Sequence, residues 1–118
     1  MSDDDELTAD RLVALTLALE QRRTELQRAL EATRDDSRPV ELELSIGRLT
    51  RMDAMQQQQM AAALRQRLET QLAQVQRALG KLVEGSYGQC ASCEEPIGMA
   101  RLLVKPEAPF CVPCQASR

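Results

Sequence analysis

The chain reads as a mainly α protein, a long antiparallel two-helix coiled-coil hairpin followed by a small C-terminal module built on four cysteines. Three observations predict this. Leu, Ala, Gln, Arg and Glu dominate the 118 residues, while Tyr87 and Phe110 are the only aromatics and His and Trp are absent. Such a composition suits long helices and gives little aromatic area for a compact globular core. Two stretches carry leucine at helical spacing, and all four cysteines fall near the C-terminus as two Cys-x2-Cys pairs. The expected division is a hairpin over 1–86, with its tip at about 44–50, and a module over 87–118.

The first arm is marked by Leu12, Leu15, Leu19, Leu26 and Leu30, a seam close to the 3.5-residue period of coiled coils. Arg22 interrupts it, with a long aliphatic stem that can cover apolar surface. Pro39 lacks the N–H that a continuing helix needs, so the arm is expected to break at 34–38 and to resume as a short segment, or to stay a loop to residue 49. The second arm is marked by Leu64, Leu68, Leu72, Val75, Leu79 and Leu82, with Thr50 as the expected N-cap, Asp53 reaching back, and Gly85 and Gly88 ending the helix.

The seams fit each other. Facing residues of an antiparallel hairpin share a constant index sum, and Leu12 with Leu82, Leu15 with Leu79, Leu19 with Val75, Arg22 with Leu72, Leu26 with Leu68 and Leu30 with Leu64 all share 94. The chain would then reverse at Gly47, a residue that tolerates the positive φ of a tight turn. Arms of about 35 residues would be roughly 50 Å long.

In the module, Cys90-Ala-Ser-Cys93 and Cys111-Val-Pro-Cys114 are separated by seventeen residues. That is the ligand spacing of a four-cysteine zinc site, and it leaves no cysteine over. Four thiolates and no open position make one Zn²⁺ structural rather than catalytic. Disulfide staples would suit a secreted domain, but the acidic N-terminus carries no apolar stretch like that of a signal peptide. A thioredoxin-like redox pair would want a βαβ context, and none is visible. A redox-sensitive zinc site stays open beside the structural one.

Net charge is −3, unevenly spread: −6 over residues 1–46, +3 over 47–89 and zero over 90–118. The module offers Arg101, Lys105 and Arg118 against Glu94, Glu95 and Glu107. That is no basic face for nucleic acid, so sequence-specific DNA binding is not expected and the natural partner is another protein. No apolar run is long enough to span a membrane, and a reducing cytoplasm is the expected compartment. An enzyme is not expected: there is no His to act as base, no Gly-rich phosphate loop, and the metal site is closed.

The run from Glu84 to Cys93, with Pro96-Ile-Gly98, Arg101-Leu102, Lys105-Pro106 and Cys111-Val-Pro-Cys114, resembles the zinc-finger region of the DksA/TraR family, and the hairpin resembles that family's coiled coil. The resemblance implies a short member of that family. It implies a non-enzymatic regulator that binds bacterial RNA polymerase through the secondary channel. The tip would reach toward the active site and alter open-complex stability, in several members together with the stringent-response alarmone ppGpp. It places the partner-binding tip at Ile46, Gly47, Arg48, Thr50, Arg51, Met52 and Asp53, and a ppGpp contact at Lys105.

Three departures qualify the implication. The family's Asp-x-x-Asp-x-Ala tip falls by ungapped count on Gly47, Thr50 and Met52, so tip acidity would have to come from Asp35, Asp36, Glu41, Glu43 or Asp53. Two further family ppGpp positions are Gln74 and Gln115 rather than basic residues, and one lysine is thin provision for several phosphates. Weak or absent ppGpp dependence follows. Glu94 stands where glycine commonly follows the second cysteine and eases a left-handed turn, at a cost of about 1 kcal/mol. A closed hairpin is expected to be a monomer. The competing reading is a zinc-clamped helical adaptor with a partner other than polymerase.

Overall fold

A computed structural model describes residues 6–36 and 47–118. Four helices follow in order: α1 (Ala9–Asp36), α2 (Gly47–Glu84), α3 (Met99–Val104) and α4 (Val112–Ala116). The first two pack side by side as the arms of the expected coiled-coil hairpin, and the molecule measures 65 × 29 × 21 Å. Among the described residues there is no strand, only an isolated antiparallel bridge between Gln89 and Pro96. None of the described helices is long and apolar enough to cross a membrane.

The helix ends have local causes. Thr8 caps α1: its hydroxyl accepts from the Arg11 amide at 3.3 Å, and its carbonyl accepts from Leu12 at 2.9 Å. At the same end of the hairpin, α2 closes with Gly85 at φ 82°, and the Ser86 amide donates to the Lys81 carbonyl at 2.9 Å. This is the six-to-one bond of a glycine C-cap. Helix α1 runs to Asp36, inside the 34–38 window expected for the break. One boundary differs from expectation: α2 already begins at Gly47, so Thr50 lies inside the helix rather than capping it. Pro39 and residues 44–46 of the expected tip lie outside the described residues.

Burial follows a heptad on both arms, widened near the module, where Ala78 is buried beside the seam. Leu15, Leu19, Leu26 and Thr33 are buried on α1, with Leu12, Arg22 and Ala29 half-buried between or beside them. On α2, Val75 is buried, and Ala54, Gln58, Ala61, Arg65, Leu68, Leu72, Leu79 and Leu82 are half-buried at alternating steps of four and three. The expected Leu30–Leu64 layer needs correction: Leu64 is 42% exposed. Leu64, Leu68 and Leu72 take two steps of four in succession, which overshoots a 3.5 period and carries Leu64 off the seam. The covered residues in this stretch are instead Ala29, Thr33, Ala61 and Arg65, small and polar residues that a search for leucine passes over.

The core does not end with the rod. Leu15, Leu19, Leu26, Val75 and Ala78 form one cluster with Tyr87, Cys90, Ile97, Met99, Leu102 and Cys111 of the module. Leu7 closes it from the N-terminal side, lying so near Gly88 that a Cβ there would meet its Cδ1 at 2.6 Å. Glycine at 88, at φ 91°, therefore serves both the turn and this contact.

Candidate metal centre and its attachment to the rod

The two cysteine pairs meet because two short hairpin-like turns are tied back to back. The Cys90 amide donates to the Glu95 carbonyl at 2.8 Å, the Glu94 amide to the Cys90 carbonyl at 3.0 Å, and the Ile97 amide to the Gly88 carbonyl at 2.8 Å. Together they fold residues 88–97 into a knuckle. Glu94 takes φ 65°, the left-handed conformation anticipated for it, and is the one non-glycine residue with positive φ among those described. The second knuckle is the start of α4, where Pro113 occupies the first turn and the Gln115 amide donates to the Cys111 carbonyl at 2.9 Å. The Ala91 amide, donating to the Pro109 carbonyl at 2.8 Å, holds the two knuckles together.

The sulfurs of Cys90, Cys93, Cys111 and Cys114 all lie within 4.8 Å of one another. Cys93 and Cys111 Sγ are 3.7 Å apart, far beyond a disulfide bond and close to the separation of about 3.8 Å that a tetrahedron with Zn–S bonds near 2.3 Å requires. Cys90 and Cys111 are buried, Cys114 is half-buried and Cys93 is exposed. The thiols perturb one another unequally. Burial raises Cys90, but backbone hydrogen bonds at Cys93, Cys111 and Ser92 outweigh it and hold its pKa at about 6. At Cys93 the Glu95 backbone pulls down, yet desolvation and the Cys90 thiol leave it raised. Cys114, crowded first by Cys111 and then by Cys93 and Cys90, is pushed up to about 12. Four thiolates this close repel one another, and a divalent cation removes that conflict. The donor set fits one structural Zn²⁺, which would supply fold stability and leave no open position for chemistry.

Around the centre, Tyr87 donates its hydroxyl to the Pro106 carbonyl at 3.0 Å. Arg101 Nε donates to the Phe110 carbonyl at 2.9 Å, and the Arg118 guanidinium sits 3.8 Å above the Phe110 ring. A polar link to the rod was not legible as such. Arg22 Nε donates to Glu107 Oε2, joining the residue that interrupts the leucine seam to a carboxylate that is 1% exposed. A charge in a leucine seam was the available signal; its partner, 85 positions away, was not.

The remaining expected residues are spread out. Met52 and Asp53 are exposed on α2; Gly47, Arg48, Thr50 and Arg51 belong to its first turns; Ile46 lies outside the described residues. Lys105, just after α3, lines an open groove with Ala63, Gln66, Arg67, Thr70, Gln71 and Gln74 of α2. Lys105 and Gln74 are thus brought together, whereas Gln115 is exposed on α4 and does not line that groove.

Comparison with known proteins agrees with this geometry. Residues 85–118 match the family model described as the prokaryotic dksA/traR C4-type zinc finger. Proteins named RNA polymerase-binding transcription factor DksA, from two strains of Caulobacter vibrioides, are 39% identical over 51 residues. The match covers 43% of this chain and 36% of those relatives, so the chain matches only about a third of their length. The solved structure of transcription factor DksA2 from Pseudomonas aeruginosa superposes with a TM-score of 0.77 at 27% identity, covering 99% of this chain and 89% of that one.

Proposed function

The chain belongs to the DksA/TraR family, and from that premise we propose that it is a cytoplasmic transcription regulator that binds bacterial RNA polymerase through the secondary channel. The tip of the coiled coil, Ile46 to Asp53, reaches toward the active site and alters the stability of open promoter complexes. The observation that carries this reading is the likeness to a transcription factor over 99% of the chain, rod included, and not over the zinc module alone. The shape supports it: a slender hairpin grafted by a continuous core onto a metal-stapled base is a probe with a handle. The protein acts by binding and not by catalysis, as a monomer and without reading DNA sequence.

Dependence on ppGpp is weak in this reading. The groove that holds Lys105 presents one further cation, Arg67, and otherwise neutral side chains, while an alarmone with several phosphates calls for more charge-assisted donors.

Site-specific photocrosslinking from Ile46 in native bacterial cytosol tests the proposal. The expected product is a crosslink to the large subunits of RNA polymerase near the secondary channel. Crosslinks to another protein, with polymerase untouched, would replace it with the zinc-clamped adaptor.

A further inference from the structure

A rod that works at its far end must be aimed from its near end, and the joint between rod and module contains a feature that packing alone does not require. Glu107 is fully buried at the side chain, and its Oε2 is held by Arg22 of α1, whose own side chain is 39% exposed. Its other oxygen, Oε1, is buried with no hydrogen-bond partner among the described residues, and so is Gln74 Oε1 of α2. Both residues line one small cavity with Ala78 and Tyr87 and with two cations of α2, Arg77 and Lys81, and it has room for about one water molecule. Two buried acceptors facing one such space call for a shared donor. The carboxylate thus sits where α1, α2 and the module meet.

The hydrophobic attraction between rod and module is non-directional, whereas a fully buried carboxylate held by one guanidinium is penalised heavily when that contact is lost. We propose that Arg22 and Glu107 are positioning residues, a clasp that fixes the direction in which the coiled coil leaves the zinc module. The lever is long: tilting a 38-residue helix by about 10° moves its far end by roughly 10 Å. The clasp also explains why arginine occupies a leucine position in the seam. It is there for the module, not for the opposite arm.

The test uses the zinc-loaded full chain and residual dipolar couplings, which report whether α1–α2 and residues 88–115 share one alignment tensor. Arg22→Gln and Glu107→Gln are expected to keep their zinc and their helices while the module loses its common alignment with the rod. Arg22→Lys, which keeps the charge, is expected to retain it. Should Glu107→Gln fail to fold, Arg22→Gln removes the same contact from the exposed partner. A single tensor of unchanged magnitude for rod and module in Arg22→Gln would overturn the proposal. The aiming of a tip at polymerase rests on the function proposed above, but the alignment is read in the free protein. A failed crosslink from Ile46 would therefore leave the clasp standing, and a rigid Arg22→Gln variant would leave the partner standing.

Discussion

The near and far halves of the coiled coil keep one heptad spacing and differ in what fills it. Near the module the seam is Leu12, Leu15, Leu19, Val75, Leu79 and Leu82, continuous with the module's own core. Beyond Leu26 it becomes Ala29, Thr33, Ala61, Arg65 and Gln58, and Leu30, Glu31, Arg34, Ala62, Arg65, Gln66 and Glu69 line an open cleft there. Both halves are helical because Ala, Leu, Gln, Arg and Glu are strong helix formers. Only the near half buries enough apolar surface to be held by packing. The period sets the path of the arms, and the residues at the seam set how firmly they are joined.

The comparison breaks most directly at paired leucines. Leu19 is fully buried and Leu64 is largely exposed. Leu19→Ala is expected to destabilise by about 2–5 kcal/mol, as a cavity in a core that cannot collapse, and Leu64→Ala by roughly 0.5 kcal/mol or less. Urea unfolding of the two variants decides it. Equal losses would mean that the far half is packed after all and that the heptad assigned here is displaced by one residue.

That leucine pair also marks how far the sequence could be read. The zinc ligands were legible because four soft donors at fixed spacing admit few other readings, and the hairpin was legible because leucine dominates the near half. Where leucine ceases to mark the seam, counting leucines leads off it: Leu64 looked like a layer, while Thr33, buried with its hydroxyl donating to the Leu30 carbonyl at 2.7 Å, looked like surface. Thr50 looked like a cap because Thr and Asp at that spacing cap helices, but α2 had already begun at Gly47. The Arg22–Glu107 link was illegible for a different reason. Sequence shows that an arginine interrupts a seam; only the docking of the module shows what it faces.

A change of intermediate size sharpens the contrast. Arg65 occupies a heptad position in the far half and is half-buried there. Arg65→Leu replaces a partly solvated cation with a seam residue of the near-half kind. It is expected to stabilise by about 1 kcal/mol, since exposed charge contacts are individually worth little, and to slow amide exchange about fivefold in residues 27–36 and 58–68. Exchange in the near half should not move. Exchange that slows equally along the whole rod would mean that the two halves open as one cooperative unit.

An effect of similar size that fades with pH belongs to the near end, where rod meets module. Tyr87 is pushed up to about 12 by burial and then by the charge of Glu107. In the unfolded chain a tyrosine ionises near pH 10. Between those values the unfolded state sheds a proton that the folded state keeps, so the contribution is fully present below about pH 10 and is lost as pH rises toward 12. Tyr87→Phe forfeits the bond to the Pro106 carbonyl, about 1 kcal/mol at neutral pH. It has no phenol to ionise, so its deficit against the native chain should shrink as pH climbs above 10. Urea midpoints for the pair from pH 8 to about 11 measure this. A gap that stays constant would mean that the phenol is in contact with solvent, and that the near end is looser than the core joining rod to module implies.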